Sequence, residues 1–253
     1  FMPLVDQGVS LCLERQDIEK AQTVLCHSGL PTLDPVRLRD LVDGITVEVQ
    51  AEPGKRRPLY GRVVPRGKWE ELIRDLLPSD MLSAADLKVA LSFLSNLYGL
   101  LAQGEDVDIV YRFGLGYDLA LCGLMTLGGG SKSLKLAELI SACKDPRLRK
   151  VRPRVFERVF RGILTSLAAF TSGDRRDILF ENEGERIVAV AGKCSSQILE
   201  GQDGADMETM KDFYNNAGGA DLMNWLELLD LSKWIPAVAL ALSKTEGRHR
   251  PER

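Results

Sequence analysis

Residues 83–103 read SAADLKVALSFLSNLYGLLAQ, and this segment sets the fold class. Ser83 followed three residues later by Asp86 has the form of a capping box, in which a hydroxyl and a carboxylate satisfy amides of the first turn. Leu87, Leu91, Leu94, Tyr98 and Leu101 then recur at three- and four-residue spacing. That period places them on one side of a long helix. Similar spacing runs over 11–29, 34–44, 68–77, 107–113, 117–127, 134–143 and 153–171, and again over 207–215, 220–229 and 234–242. Pro153 suits a first helical position, where no N–H is needed.

Two places break the helical period. Ile45-Thr46-Val47-Glu48-Val49 alternates, Pro53-Gly54 marks a turn, and Leu59 to Val64 is a second β-like run, so a hairpin is predicted over 45–64. A second hairpin is predicted over 178–191, with Ile178 to Phe180 and Ile187 to Val190 flanking Glu183-Gly184. The resulting expectation is a mainly α fold, a helical bundle of about ten helices with two short β-hairpins. It divides into a helical domain over 1–172, a smaller helical subdomain over 173–244, and a mobile polar tail over 245–253.

The 253 residues suffice to bury a real core, with 45% hydrophobic and 27% charged residues. Aromatics at 6% leave that core to Leu, Val, Ile and Ala. Phe1 to Asp6 shows no basic region followed by an apolar run, and no apolar run reaches the roughly 20 residues of a membrane span. The five cysteines are odd in number and widely spaced, which points to reduced thiols and an intracellular setting.

Motifs for chemistry are missing. The two histidines, His27 and His249, complete no triad and no metal set, and His27 reads as a helix C-terminal residue. Gly123 to Ser133 (GLMTLGGGSKS) lacks the Gly-Lys step and the upstream strand of a phosphate loop. It reads instead as a flexible linker in which Ser131 or Ser133 caps the next helix. Acidic residues at 105–108 and 203–206 read as solvated loops and helix starts. No enzyme activity, cofactor, metal or small-molecule substrate is evident.

Charge is the informative feature. Arg147, Arg149, Lys150, Arg152, Arg154, Arg158 and Arg161 fall within fifteen residues that hold one acid. Lys55, Arg56, Arg57, Arg62, Arg66 and Lys68 form a second run with none. The remainder of the chain has 20 basic and 35 acidic residues, so a net charge of −3 conceals strong segregation. Arg154, Arg158 and Arg161 are spaced to share one exposed helix face, opposite Val155, Phe156, Val159, Phe160 and Ile163. The plain reading is a solvated face balanced by acidic loops of the same protein. The functional reading is binding of RNA backbone or an anionic membrane surface, because arginine pairs bidentately with phosphate. The candidate residues are Lys55, Arg56, Arg57, Arg62, Arg147, Arg149, Lys150, Arg152, Arg154, Arg158 and Arg161.

A mostly helical chain of this length, with its basic run at Arg147–Arg161 among helices spanning Ser83 to Thr171, resembles the matrix proteins of orthomyxoviruses. The nucleoproteins of segmented negative-strand RNA viruses are the second comparison; they are two-lobed and hold RNA backbone in a basic groove. The likeness is one of layout. It implies self-assembly as a homo-oligomer beneath a membrane or along RNA, without enzymatic activity. The alternative is a helical adaptor for a protein partner, with Leu222, Trp225, Leu226, Leu229 and Trp234 as anchors. Core packing of two consecutive helices is the simpler reading of those five residues.

Overall fold

In the computed structural model the Ser83 hydroxyl accepts the Asp86 amide at 3.1 Å, and the long helix begins there. The structure describes residues 13–50, 61–77, 82–216 and 219–235. In chain order the helices are α1 (Arg15–Ser28), α2 (Pro35–Ile45), α3 (Arg66–Leu76), α4 (Ala84–Ala102), α5 (Val107–Arg112) and α6 (Tyr117–Leu127). There follow α7 (Lys132–Cys143), α8 (Pro153–Ala168), α9 (Asp174–Phe180), α10 (Glu185–Leu199), α11 (Met207–Asn215) and α12 (Gly219–Leu222). Strands are β1 (Val47–Glu48), β2 (Arg62–Val64) and β3 (Leu115–Gly116). The fold is mainly helical, with 73% of the described residues in helices.

Helix α6 is the centre. Every residue from Tyr117 to Leu127 is buried, because α2, α4, α7 and α8 all pack around it. Helix α4 turns Ala90, Phe93, Leu94, Leu97, Tyr98 and Leu101 inward, leaving Leu87 and Leu91 half-buried at the rim. Helix α8 lies between α6 and α10. Its apolar face carries Phe156 and Phe160 edge to face, and Phe160 meets Trp225 in the same geometry. Buried side chains from Ala21 to Ile235 form one cluster. The boundary drawn at 172/173 falls in the turn between α8 and α9.

The first hairpin pairs as its alternation requires, with Val47 opposite Val63 and Glu48 opposite Arg62. Its turn, residues 51–60, lies outside the described residues. A third strand joins it, as Val63 pairs with Gly116 and Val64 with Leu115. The Tyr98 hydroxyl locks the junction, donating to the Val64 carbonyl and accepting the Leu115 amide, both at 2.9 Å.

The second hairpin is not formed. Ile178 to Phe180 ends α9, and Ile187 to Val190 lies inside α10. Ile187, Val190, Ala191, Cys194 and Ile198 are all buried, which is the three-and-four spacing of a helix continued past the run taken for a strand. Asn182 and Glu183, at φ +48° and +59°, make the break between the two helices.

The glycine run is also different from a free linker. Gly128 and Gly129 are buried, the Gly129 amide donates to the Leu33 carbonyl at 2.9 Å, and Ser131 caps α7. Described cysteines Cys26, Cys122, Cys143 and Cys194 are free thiols; Cys12 and the tail 245–253 lie outside the described residues. No helix among the described residues is long and apolar enough to cross a membrane.

Lys135 of α7 is buried completely. Its Nζ donates to the Leu229 carbonyl at 2.7 Å and the Thr126 carbonyl at 3.4 Å, tying the end of α6 to the 3-10 turn Asn224–Leu229. Burial pushes its ammonium down to about 7, against the pull of Asp230. The unfolded lysine keeps its proton until about pH 10.4. Between these values the unfolded chain binds more protons, so stability rises with pH. Above about pH 8.5 the buried thiols of Cys122, Cys143 and Cys194 act oppositely, because burial holds them protonated in the fold. Urea unfolding is therefore expected to show a gain of up to about 2 kcal/mol from pH 7 to 8.5. Lys135→Met should abolish that gain; a variant with an unchanged pH slope refutes the assignment.

Candidate polyanion-binding loop

The loop between α7 and α8 is built around one acid. Asp145 accepts the amides of Arg147 at 2.8 Å and Leu148 at 3.1 Å through Oδ1. Its own amide donates to the Lys150 carbonyl, and its carbonyl accepts the Arg149 amide, both at 2.9 Å. The chain reverses through Arg149 at φ +59°. Val151 then pairs with Ala205 in an antiparallel bridge, anchoring the loop to the segment before α11. These bonds, first those from the Leu148 and Arg147 amides, hold the Asp145 carboxyl below the usual carboxylate range.

With Asp145 facing inward, the basic side chains face outward. Lys144, Arg147, Arg149, Arg152 and Arg154 are exposed, and Lys150 is half-buried. Arg152 pairs with Asp145, with Nε at 2.7 Å and Nη2 at 2.6 Å from Oδ2. Lys144, Arg147, Arg149 and Arg154 have no carboxylate partner among the described residues. Helix α8 starts immediately afterwards with Pro153, without a side-chain cap and without an acid in its first turn. Its positive dipole end therefore adds to the loop's charge.

The exposed arginine row predicted along α8 is only one residue long. Arg154 is exposed, but the side chains of Arg158 and Arg161 are 10% and 12% accessible. Arg158 grips the fully buried Asp118 with two bonds, Nε to Oδ2 at 2.5 Å and Nη2 to Oδ1 at 2.9 Å. Its third nitrogen and Arg161 both reach Glu105. Burial opposes the Arg158 charge, and the two carboxylates outweigh burial and raise its pKa further. The physical reason for the correction is that the polar side of α8 is covered by the start of α6 and the turn before α5. Glu105, read as a solvated acid, is the hub of that cover.

The second basic run is also engaged where it is described. Arg62 pairs with Asp43 at 2.6 Å and lies over the Tyr117 ring at 3.9 Å. Arg66 pairs with Glu70 at 3.0 Å and Lys68 with Glu71 at 2.8 Å. Lys55, Arg56 and Arg57 lie outside the described residues. Thus Arg147, Arg149, Lys150, Arg152 and Arg154 come together, whereas Arg158 and Arg161 belong to a buried ion-pair network and Arg62 to a half-exposed pair with Asp43. Lys144 joins the loop and was missed because the basic run was counted only from Arg147. Asp145-Pro146 was the available signal for the turn.

The adaptor's proposed anchor is mostly interior. Trp225, Leu226 and Leu229 are fully buried, and Leu222 and Trp234 are half-buried against the core. Compared with protein-family models and with curated proteins, the sequence matches none.

Proposed function

We propose that this chain is a non-enzymatic binding protein that holds the phosphate backbone of RNA on the loop from Lys144 to Arg154. The observation that carries the reading is the concentration of exposed cations at Lys144, Arg147, Arg149 and Arg154, on a loop whose own acid, Asp145, is taken up by backbone amides and Arg152 and whose neighbouring acid, Asp206, faces Lys150. Phosphate contacts of this kind fix position and supply affinity without reading sequence. An RNA strand is favoured over a membrane surface because the apolar face of α8 is spent on the core. A helix lying in a bilayer interface needs that face free. Apart from two prolines, the loop's exposed apolar side chain is Leu148, 41% accessible. Self-association belongs to the same reading: a loop of few cations binds weakly alone, and copies along one strand add their contacts. The layout likeness to viral matrix proteins and nucleoproteins implies the same arrangement.

Fluorescence anisotropy with a labelled single-stranded RNA tests this. Arg147→Glu, Arg149→Glu and Arg154→Glu together should weaken binding by more than about tenfold at low salt. Each change is at an exposed position and should alter stability by about 0.5 kcal/mol or less. Unchanged RNA affinity in the triple variant refutes the proposal, as does a wild type that binds anionic vesicles and not RNA.

A further inference from the structure

A cavity of about 300 Å³ opens between α1, α4, the end of α8 and α9, away from the basic loop. Lys88, Ser92 and Asn96 line one wall, spaced four residues apart on α4. Phe93 forms an apolar floor, stacked on Phe170 at 4.6 Å. Lys20 from α1 and Arg176 from α9 complete the rim. Among the described residues no acid lines the cavity.

The three cations are not equivalent. Lys20 donates to the Ala169 carbonyl at 3.4 Å, at the C-terminal end of α8, and sits 5.5 Å from the Phe93 ring centre. Burial lowers its pKa, and the like charge of Arg176 lowers it further, with Asp17 opposing. Lys88 and Arg176 have no carboxylate partner among the described residues. Like charges gathered on an apolar-floored cleft repel one another until an anion enters. Hydroxyl and amide groups at Ser92 and Asn96 can donate to the same anion.

We infer that this cavity binds a small organic anion, a phosphate or carboxylate head held by Lys20, Lys88 and Arg176 with a short apolar body on Phe93. The inference is independent of RNA binding, since it uses none of the loop's residues.

Hexyl phosphate titrated into the full chain by calorimetry is the test, with inorganic phosphate and hexanol as separate probes. Hexyl phosphate should bind more tightly than either by about tenfold or more, because only it uses both halves of the site. The double variant Lys88→Glu, Arg176→Glu should lose about tenfold or more in affinity. Ser92→Trp, at an exposed helix position, blocks the cavity without changing charge and should abolish binding even if the double variant fails to fold. Vesicles containing phosphatidic acid separate the sources. Sedimentation that is lost in Ser92→Trp identifies a lipid headgroup, and hexyl phosphate binding without sedimentation identifies a dissolved ligand. Equal affinity for hexyl phosphate and inorganic phosphate, or undiminished binding in Ser92→Trp, overturns the inference.

Discussion

Arg158→Met is expected to destabilise the protein by about 3–5 kcal/mol, as removal of one partner from a buried ion pair does. The cost comes from what remains. Asp118 is fully buried, and both its oxygens accept from Arg158. Glu105 keeps Arg161 but loses its second cation. The guanidinium packs closely on the backbone, since a Cβ at Gly116 would lie 2.5 Å from Arg158 Nη2. Arg154→Met, one turn earlier on the same helix, should change stability by about 0.5 kcal/mol or less. Adding Asp118→Leu to Arg158→Met should recover much of the loss, since replacing both charges removes the stranded carboxylate. Urea unfolding of the four proteins checks this. A cost below about 1 kcal/mol for Arg158→Met would place the network among solvated surface pairs.

Gly129→Ala should cost about 2–3 kcal/mol, at the upper end for overpacking. An added Cβ would overlap the Pro31 carbonyl oxygen and lie 2.9 Å from the Leu33 carbonyl oxygen. These are backbone atoms and cannot swing aside as a side chain would. The hydrogen bond from the Gly129 amide to the Leu33 carbonyl holds the two segments at that approach. Gly67→Ala is the control. It lies in α3 with nothing within 4 Å of a new Cβ, and should be neutral or stabilising by up to about 1 kcal/mol. Thermal unfolding separates the two; equal effects would mean that the glycine run is a pliable linker.

The elements legible in the sequence were those whose signal is local. Ser83 and Asp86 announced α4, Pro153 announced α8, and alternation over 45–64 announced a hairpin there, whose strands β1 and β2 do pair antiparallel. Strand β3 has two residues and no pattern of its own. It exists because Tyr98 and β2 hold the chain there, which is a tertiary effect. The run 178–191 was misread because four apolar residues cannot distinguish strand from helix until their neighbours to Ile198 are included.

At the candidate site the difficulty was to separate Arg154 from Arg158. Both lie on the polar side of an amphipathic helix, and periodicity says nothing about whether that side meets solvent. A clue lay elsewhere. Asp118 is the one charged residue in the otherwise apolar run 117–127. A lone acid in a segment destined for burial demands a buried cation. The same reasoning frees the loop residues, because Asp145 is spent on backbone amides and Arg152 alone.

The most direct measurement is the salt dependence of RNA binding by the wild-type chain. Four unpaired cations at Lys144, Arg147, Arg149 and Arg154, each displacing one counterion, give a slope of log affinity against log salt of about −3 for a single strand. A slope near that value, lost together with binding when the three arginines are reversed, is the expected result. RNA affinity that does not change with salt, or no RNA binding at low ionic strength, contradicts the account.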